Sequence, residues 1–275
     1  MSITRVAPAS PPAPYIGGKS RLAPLIIDRI SGVPHRLYVE PFVGLGGVFL
    51  RRRRTVQKEV INDLNRDIAT LFRVLRHHYR AFMDECRYQL TSRAEFVRLR
   101  RSDPETLTDI QRAVRFLYLQ RLAFGGRPTR PVFGVSPEAP KLFDGGDLEA
   151  ALDAVHRRLS GVVIECLPWS DCLERYDNPD ALFYLDPPYW GTERDYGAAF
   201  DRMEFGRMAE KLAALRGSFI LSLNDRPEVR STFGHFRIEQ VRTTYSIGRD
   251  ANTAAAELLI SGGRAADNEG VGRLL

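Results

Sequence analysis

The chain has 275 residues, 44% of them apolar and 10% aromatic, and 40 Lys and Arg stand against 34 Asp and Glu for a formal charge of +6. That composition can bury enough apolar surface to offset the ordering entropy of folding, which excludes a disordered chain. No apolar stretch approaches the roughly 18–20 residues that span a bilayer, and the first residues carry no signal-type apolar run, so the expectation is a basic globular protein of the cytoplasm.

In chain order, residues 1–14 read as an unstructured Pro/Ala tail. A short Tyr15-Ile-Gly-Gly turn leads to Lys19, and Ser20 is placed to cap a helix whose apolar face is Leu22, Leu25, Ile26 and Ile30. The strand Leu37-Tyr-Val39 runs into Glu40-Pro-Phe-Val-Gly44-Leu-Gly46-Gly47, followed by a helix carrying Val48 to Leu50 and the Arg51–Arg54 run as a solvated end. Glu59-Val-Ile-Asn-Asp63 is a second strand, and Asp67 to Tyr79 a helix. Residues 80–165 break this alternation with helices over Phe96–Arg101, Asp109–Leu122 and Leu148–Leu159 and a Gly/Pro-rich loop from Gly125 to Pro140. Strands return at Val162–Glu165, Leu182–Leu185, Phe219–Leu223 and around Leu258–Ile260. Strands alternating with helices argue an open α/β sheet with one mainly helical insertion.

Arginine accounts for 36 of the 40 basic residues, the lysines being Lys19, Lys58, Lys141 and Lys211. From Arg73 to Arg130 there are thirteen Arg and six acids, so 13 − 6 = +7 sits on one segment. Clustered positive charge is the electrostatic footprint of a polyanion partner. The three cysteines, Cys86, Cys166 and Cys172, form no CxxC pair and have no His at ligand spacing, which argues against a disulfide framework or a metal site.

Two constellations carry chemistry. Glycines after a strand, Gly44 and Gly46, let the backbone approach a ligand at the carboxyl edge of a sheet, and Asp63 ends the next strand 63 − 44 = 19 residues on. That offset is where a carboxylate accepts from ribose hydroxyls, so the pair suits any adenosine-containing ligand. The second is Asp186-Pro187-Pro188-Tyr189-Trp190 directly after an apolar strand. Two prolines end the strand without donating, and fix the Asp186 carboxylate beside the Pro187 carbonyl. Two acceptors beside aromatic faces suit an exocyclic amine on a planar base, with Tyr189 as the stacking wall.

Tyr15-Ile-Gly-Gly-Lys19, Glu40-Pro-Phe-Val-Gly-Leu-Gly46, Asp63 and Asp186-Pro-Pro-Tyr189 occur together in this order, with Ser222-Leu-Asn-Asp225 and Ala256-Glu-Leu-Leu-Ile260 beyond them. From about Tyr15 to about Gly263 the chain resembles the Dam-like N6-adenine DNA methyltransferases, whose recognition region lies between the cofactor motifs and the Asp-Pro-Pro-Tyr motif. The resemblance implies a Rossmann-like methyltransferase sheet, S-adenosylmethionine as methyl donor with S-adenosylhomocysteine as product, no metal, and adenine in double-stranded DNA as acceptor after base flipping. It implies cofactor contacts at Tyr15, Lys19, Asp63 and Asp186, with Asp171 near the cofactor adenine; Glu40, Gly44 and Gly46 complete that set. The expected organisation is a catalytic domain over 15–72 and 160–264, a helical target-recognition insertion over 73–159, and a tail over 265–275.

In the recognition region the family's GATC enzymes have an Asn-Arg-Tyr-Gly-Tyr-Asn-Gly-like stretch, where this chain has Gln120-Arg-Leu-Ala-Phe124-Gly125-Gly126-Arg127. Phe124 keeps the aromatic that can wedge between bases, whereas Gly125 departs from the pattern, which leaves the target sequence open. Arg127, Thr129 and Arg130 are candidates to read base edges, and Arg115 to contact phosphate. Cytosine N4 or RNA adenine as acceptor, and a catalytically idle DNA-binding protein, are the competing readings. A monomer or weak dimer is expected, and a restriction enzyme as partner is left open.

Overall fold

The computed structural model describes residues 4–15, 19–123, 133–134, 145–192, 200–245 and 253–267. At its centre, β2 (Leu37–Glu40) pairs in parallel with β4 (Lys58–Asn62) on one side and with β6 (Ala181–Leu185) on the other. β5 (Val163–Glu165) extends the sheet beyond β4, and β7 (Ser218–Asn224) extends it beyond β6, all in parallel. β9 (Thr253–Gly262) then runs antiparallel to both β7 and the edge strand β8 (Arg237–Tyr245). The strand order therefore reverses between β2 and β6, and in such sheets the crevice outside the carboxyl ends at the reversal is where ligands bind.

Period-two alternation builds a core on each face. Along β6, Leu182 and Tyr184 join the core with α1 (Ala23–Gly32), α2 (Arg66–His77), α3 (Tyr79–Arg87), α5 (Asp109–Leu122) and α6 (Gly145–Arg158). Ala181, Phe183 and Leu185 join the opposite core with α7 (Trp169–Tyr176), α8 (Arg202–Ala213) and α9 (Pro227–Thr232). Every residue of β6 is buried, as a parallel strand covered on both faces requires. α4 (Arg93–Arg101) packs on α5 in a satellite cluster of Phe96, Leu99, Tyr118, Leu119 and Leu122.

The α/β sheet and the helical segment match the sequence expectation, and α5 keeps its expected bounds under a capping box of Thr108 and Gln111. Four details are corrected. The expected tail is ordered from Thr4: β1 (Thr4–Arg5) pairs antiparallel with β3 (Arg54–Thr55), Ala9 and Ala13 are buried, and the carbonyls of Pro12 and Pro14 accept from Arg121 and Gln120. Ser20 is no cap, since α1 starts at Ala23 with a proline in its first turn, where a missing N–H costs nothing. The helix expected over Val48–Arg54 is a single 3-10 turn, Phe49–Arg51, cut short because Arg54 pairs in β3. Finally, a boundary at Arg73 cuts through α2, and α3, α5 and α6 share the sheet's own core, so the helical segment is continuous with the body. Among the described residues no helix is long and apolar enough to cross a membrane.

Arg52, expected at a solvated helix end, is 4% exposed and donates to Glu59 Oε1 at 2.6 Å. Arg158, at the end of α6, donates to Glu59 Oε2 and Oε1 at 2.7 and 3.1 Å. The Arg52 guanidinium also lies 3.6 Å from the centre of the Tyr38 ring, whose hydroxyl donates to Glu40 Oε1 at 2.5 Å. A polar column thus runs from the end of α6 beneath β4 to the last residue of β2. Removing Glu59 strands two buried cations, which costs far more than an exposed pair would. Glu59→Ala should lower stability by about 3–5 kcal/mol in urea unfolding; a change below 1 kcal/mol would show that the triad is hydrated.

Burial pushes the Glu40 carboxyl up to about 8 from its usual 4.5, against the opposing pull of the Tyr38 hydrogen bond and of Arg52. A carboxyl raised on folding favours the neutral form, so its contribution to stability is complete below about pH 4.5 and is lost as pH rises through about 8. Glu40→Gln fixes the neutral state and should flatten the fall in Tm between those limits. A profile identical to that of the wild type would place the titration elsewhere.

Candidate active site

Three chain segments meet at the crevice where the strand order reverses. The first is the glycine loop after β2. Gly44 and Gly46 have φ of +52° and +80°, a left-handed region that favours glycine. At Gly44 a Cβ would also sit 3.3 Å from the Tyr15 ring, so the tyrosine lies flush against bare backbone. The Gly44 N–H donates to Asp63 Oδ2 at 2.9 Å, and the Asn65 N–H to Asp63 Oδ1 at 2.9 Å. Asp63 thus reaches across from the end of β4 to hold the loop, while burial raises its pKa to about 6. Asn62 makes a second tie. Its amide donates to the carbonyls of Pro41 and Leu167 at 2.9 and 3.0 Å and accepts from the Leu167 N–H at 2.8 Å, linking the loops after β2 and β5.

The second segment is Asp186 to Trp190 after β6. Ser222 Oγ, on the neighbouring β7, donates to Asp186 Oδ1 at 3.0 Å and lies 3.0 Å from the Tyr184 hydroxyl. Lys19 Nζ lies 2.7 Å from the same Oδ1. Both donors converge on one oxygen, and among the described residues none reaches Asp186 Oδ2 or the Pro187 carbonyl. Burial pushes the Asp186 carboxyl up while Lys19 and Ser222 pull it down. Asn224 clamps the loop further on, its side chain accepting from the Trp190 N–H and donating to the Trp190 carbonyl, each at 3.0 Å.

The third segment is the N-terminal strap that ends in Tyr15 and resumes at Lys19. The Lys19 ammonium is buried and stands 4.4 Å from the centre of the Tyr189 ring, while its backbone nitrogen packs against Gly47. One lysine therefore touches the glycine loop, the Asp186 carboxylate and the Tyr189 face.

Tyr15, Lys19, Gly44, Asp63, Asp186 and Tyr189 are thus linked by contacts at the crevice, with Pro187 in the same loop as Asp186, whereas Gly46 is buried with its side-chain position against Leu50 and Phe72. Glu40 lies behind the crevice, 2% exposed and bonded to Tyr38, so it supports the loop from below. Asp171 is exposed in the first turn of α7, beyond the end of β5, and accepts from Ser170 Oγ at 2.9 Å. Arg115 does not stand free for phosphate as expected: its Nε donates to the Leu99 carbonyl at 2.8 Å and to Ser102 Oγ at 3.2 Å, bracing α5 against α4. Phe124, Arg127, Thr129 and Arg130 lie outside the described residues. Of the cysteines, Cys166 is exposed, whereas Cys172 and Cys86 are buried. Ser222, Asn224, Asn62 and Glu257 join the site without a candidate role of their own in the motifs; the signal for two of them is Ser222 and Asn224 at i and i+2, on one face of a strand end.

A glycine loop closed by a carboxylate, beside a carboxylate with one uncommitted oxygen, can seat an adenosine-bearing ligand next to an amine. Similarity to known proteins points the same way. Residues 15–247 match the family model described as D12 class N6 adenine-specific DNA methyltransferase. A DNA adenine methylase of Haemophilus influenzae is 24% identical over 254 residues, covering 86% of this chain and 87% of that protein. One from Vibrio cholerae is 25% identical over 255 residues, with 86% and 89% covered. The type II methyltransferase M.MjaIII of Methanocaldococcus jannaschii is 26% identical over 202 residues, with 64% and 67% covered. The match begins at Tyr15 of the strap and takes in the glycine loop, the helical segment and the Asp186 loop without a break, and on that extent the chain belongs to the D12 class N6 adenine-specific DNA methyltransferase family.

Proposed function

We propose that the chain transfers the methyl group of S-adenosylmethionine to the N6 amine of adenine in double-stranded DNA, in the cytoplasm. The observation that carries this reading is Lys19, which joins the glycine loop closed by Asp63 to the Asp186 carboxylate in one crevice. The residues present fit the donor: Asp63 keeps acceptor lone pairs beyond its two backbone bonds, Gly44 offers backbone under the Tyr15 ring, and Asp171 stands at the next strand end. S-adenosylmethionine supplies an electrophilic methyl carbon: the amine's lone pair forms the new N–C bond as the C–S bond breaks, its electron pair staying on sulfur.

The chain's own residues make the amine reactive. The N6 lone pair of adenine is delocalised into the ring and must be recovered. Asp186 Oδ2 and the Pro187 carbonyl accept its two N–H groups and draw the nitrogen toward tetrahedral geometry. Oriented acceptors stabilise the positive charge that develops there, and the methylated amine then gives one proton to the Asp186 carboxylate on its way to solvent. Fixed placement removes the orientational cost of bringing two reactants together. The base leaves the duplex at a cost of a few kcal/mol, and the Tyr189 ring replaces its lost stack. The helical segment between Arg73 and Leu159 is the surface for the duplex: Arg80 and Arg101 are exposed and make no ion pair among the described residues. Phe124, Arg127, Thr129 and Arg130 are the residues we assign to wedging and base reading.

Transfer of tritium from labelled donor to adenine-only and cytosine-only duplexes and to RNA tests the reading; label appearing equally in cytosine or RNA would overturn it. In the same assay Asp186→Ala should abolish transfer while DNA affinity in a gel-shift titration changes by less than about threefold, roughly 0.6 kcal/mol. Equal losses in both would make the motif merely structural.

Asp63 gives a pH signature. Accepting from ribose needs the carboxylate, and its pKa is raised to about 6 in the free protein, so donor affinity should be flat above that pH and fall below it. Calorimetry between pH 5 and 8 should show about a tenfold weakening per unit at the acid end. Asp63→Asn should bind weakly and without that slope; a flat wild-type profile would remove Asp63 from the site.

A further inference from the structure

β9 contains one charged residue in an otherwise apolar stretch, Ala256-Glu257-Leu258-Leu259-Ile260. Glu257 is 1% exposed. Its Oε2 accepts from the Tyr189 hydroxyl at 2.5 Å, and its Oε1, also buried, has no hydrogen-bond partner among the described residues. A half-satisfied buried carboxyl is costly, and an apolar residue there would serve the sheet better. Position in the sheet shows what the carboxyl is set against. Glu257 is the register partner of Asn224, which clamps Trp190, and two residues back on β7 Ser222 holds Asp186. Three neighbouring side chains on the paired strands β7 and β9 thus grip successive points of the 186–190 loop, and of the three Glu257 is the one that holds the Tyr189 hydroxyl.

Lys19 Nζ lies over the face of the Tyr189 ring, 4.4 Å from its centre, while the phenol oxygen behind gives a short hydrogen bond to a carboxyl. A carboxylate on the hydroxyl makes the ring face more electron-rich, and an electron-rich face favours a cation in front of it. During methyl transfer the reacting amine becomes that cation. We propose that Glu257 is a positioning residue for methyl transfer, holding the Tyr189 ring in place and electron-rich toward the Lys19 ammonium and the target amine. This rests on the methyl-transfer reading given above.

The test is a cycle of Glu257→Ala, Tyr189→Phe and the double variant, with Glu257→Gln as the conservative control, measured for kcat, KM for duplex DNA, calorimetric donor affinity and Tm. Loss of the hydrogen bond from either side should lower kcat by about 10- to 100-fold, as expected when a reacting group is displaced by about an ångström. Donor affinity should stay within about twofold, and the double variant should be no slower than the worse single one, because both remove one interaction. Glu257→Gln keeps an acceptor at the hydroxyl and should recover most of the kcat. Should Glu257→Ala fail to fold, Tyr189→Phe removes the same bond from the loop side, and its wild-type kcat would overturn the proposal. Additive losses, or an unchanged kcat in Glu257→Ala, would overturn it too. A wild-type protein that transfers no methyl to adenine would instead overturn the functional reading itself.

Discussion

The Lys19–Asp186 ion pair is the constraint around which the crevice is arranged. A buried ammonium costs several kcal/mol unless a carboxylate compensates it, so the strap that brings Lys19 and the β6 loop that brings Asp186 must close on each other at 2.7 Å. The type of cation matters in a chain where 36 of the 40 basic residues are arginine. A guanidinium would take both carboxylate oxygens in its fork, whereas an ammonium is a point charge that sits on one. Here Lys19 and Ser222 share Oδ1, and among the described residues no donor takes up Oδ2. The site therefore uses one of its few lysines where bidentate pairing would block the chemistry.

Much of the charge that makes the helical segment look basic is already paired within the chain, in exposed ion pairs as well as buried ones. Arg73 pairs with Asp109, Arg87 with Asp84 and Glu149, and Arg98 with Glu95. Arg112 is held between Asp67 and Glu105, while Arg115 and Arg121 donate to backbone carbonyls. Two of these acidic partners, Asp67 and Glu149, lie outside the stretch from Arg73 to Arg130. A local net charge counts only the acids nearby in sequence. The surface left to a polyanion is consequently smaller than the sum of +7 suggests, and it is concentrated at positions such as Arg80 and Arg101.

What the sequence made legible is what local chemistry encodes. The buried strands β2, β6 and β7 carry apolar runs, α5 announces itself by its cap, and Asp63 and Asp186 stand where strands must end. The rest depends on partners far along the chain. β8 begins Arg237-Ile-Glu-Gln-Val, too polar to read as a strand until β9 pairs with it. The Pro/Ala stretch has the composition of a linker, yet it is ordered because Gln120 and Arg121 satisfy its carbonyls. Arg115 resembles any other arginine of its segment until the Leu99 carbonyl is found beside it. In each case the deciding contact joins elements that only the folded chain brings together.

The strap also sets an order on assembly at the ribosome. Gln120, which holds the Pro14 carbonyl, follows it by 106 residues, and Asp186 follows Lys19 by 186 − 19 = 167. At about 5–20 residues per second, the strap finds its partners in β3 and the glycine loop first, whereas Gln120 follows Pro14 by roughly 5–20 s and the counter-ion of Lys19 comes later still. A lysine destined for burial therefore waits for the carboxylate that compensates it. The half of the crevice synthesised first is completed only when Asp186, directly after β6, has been made.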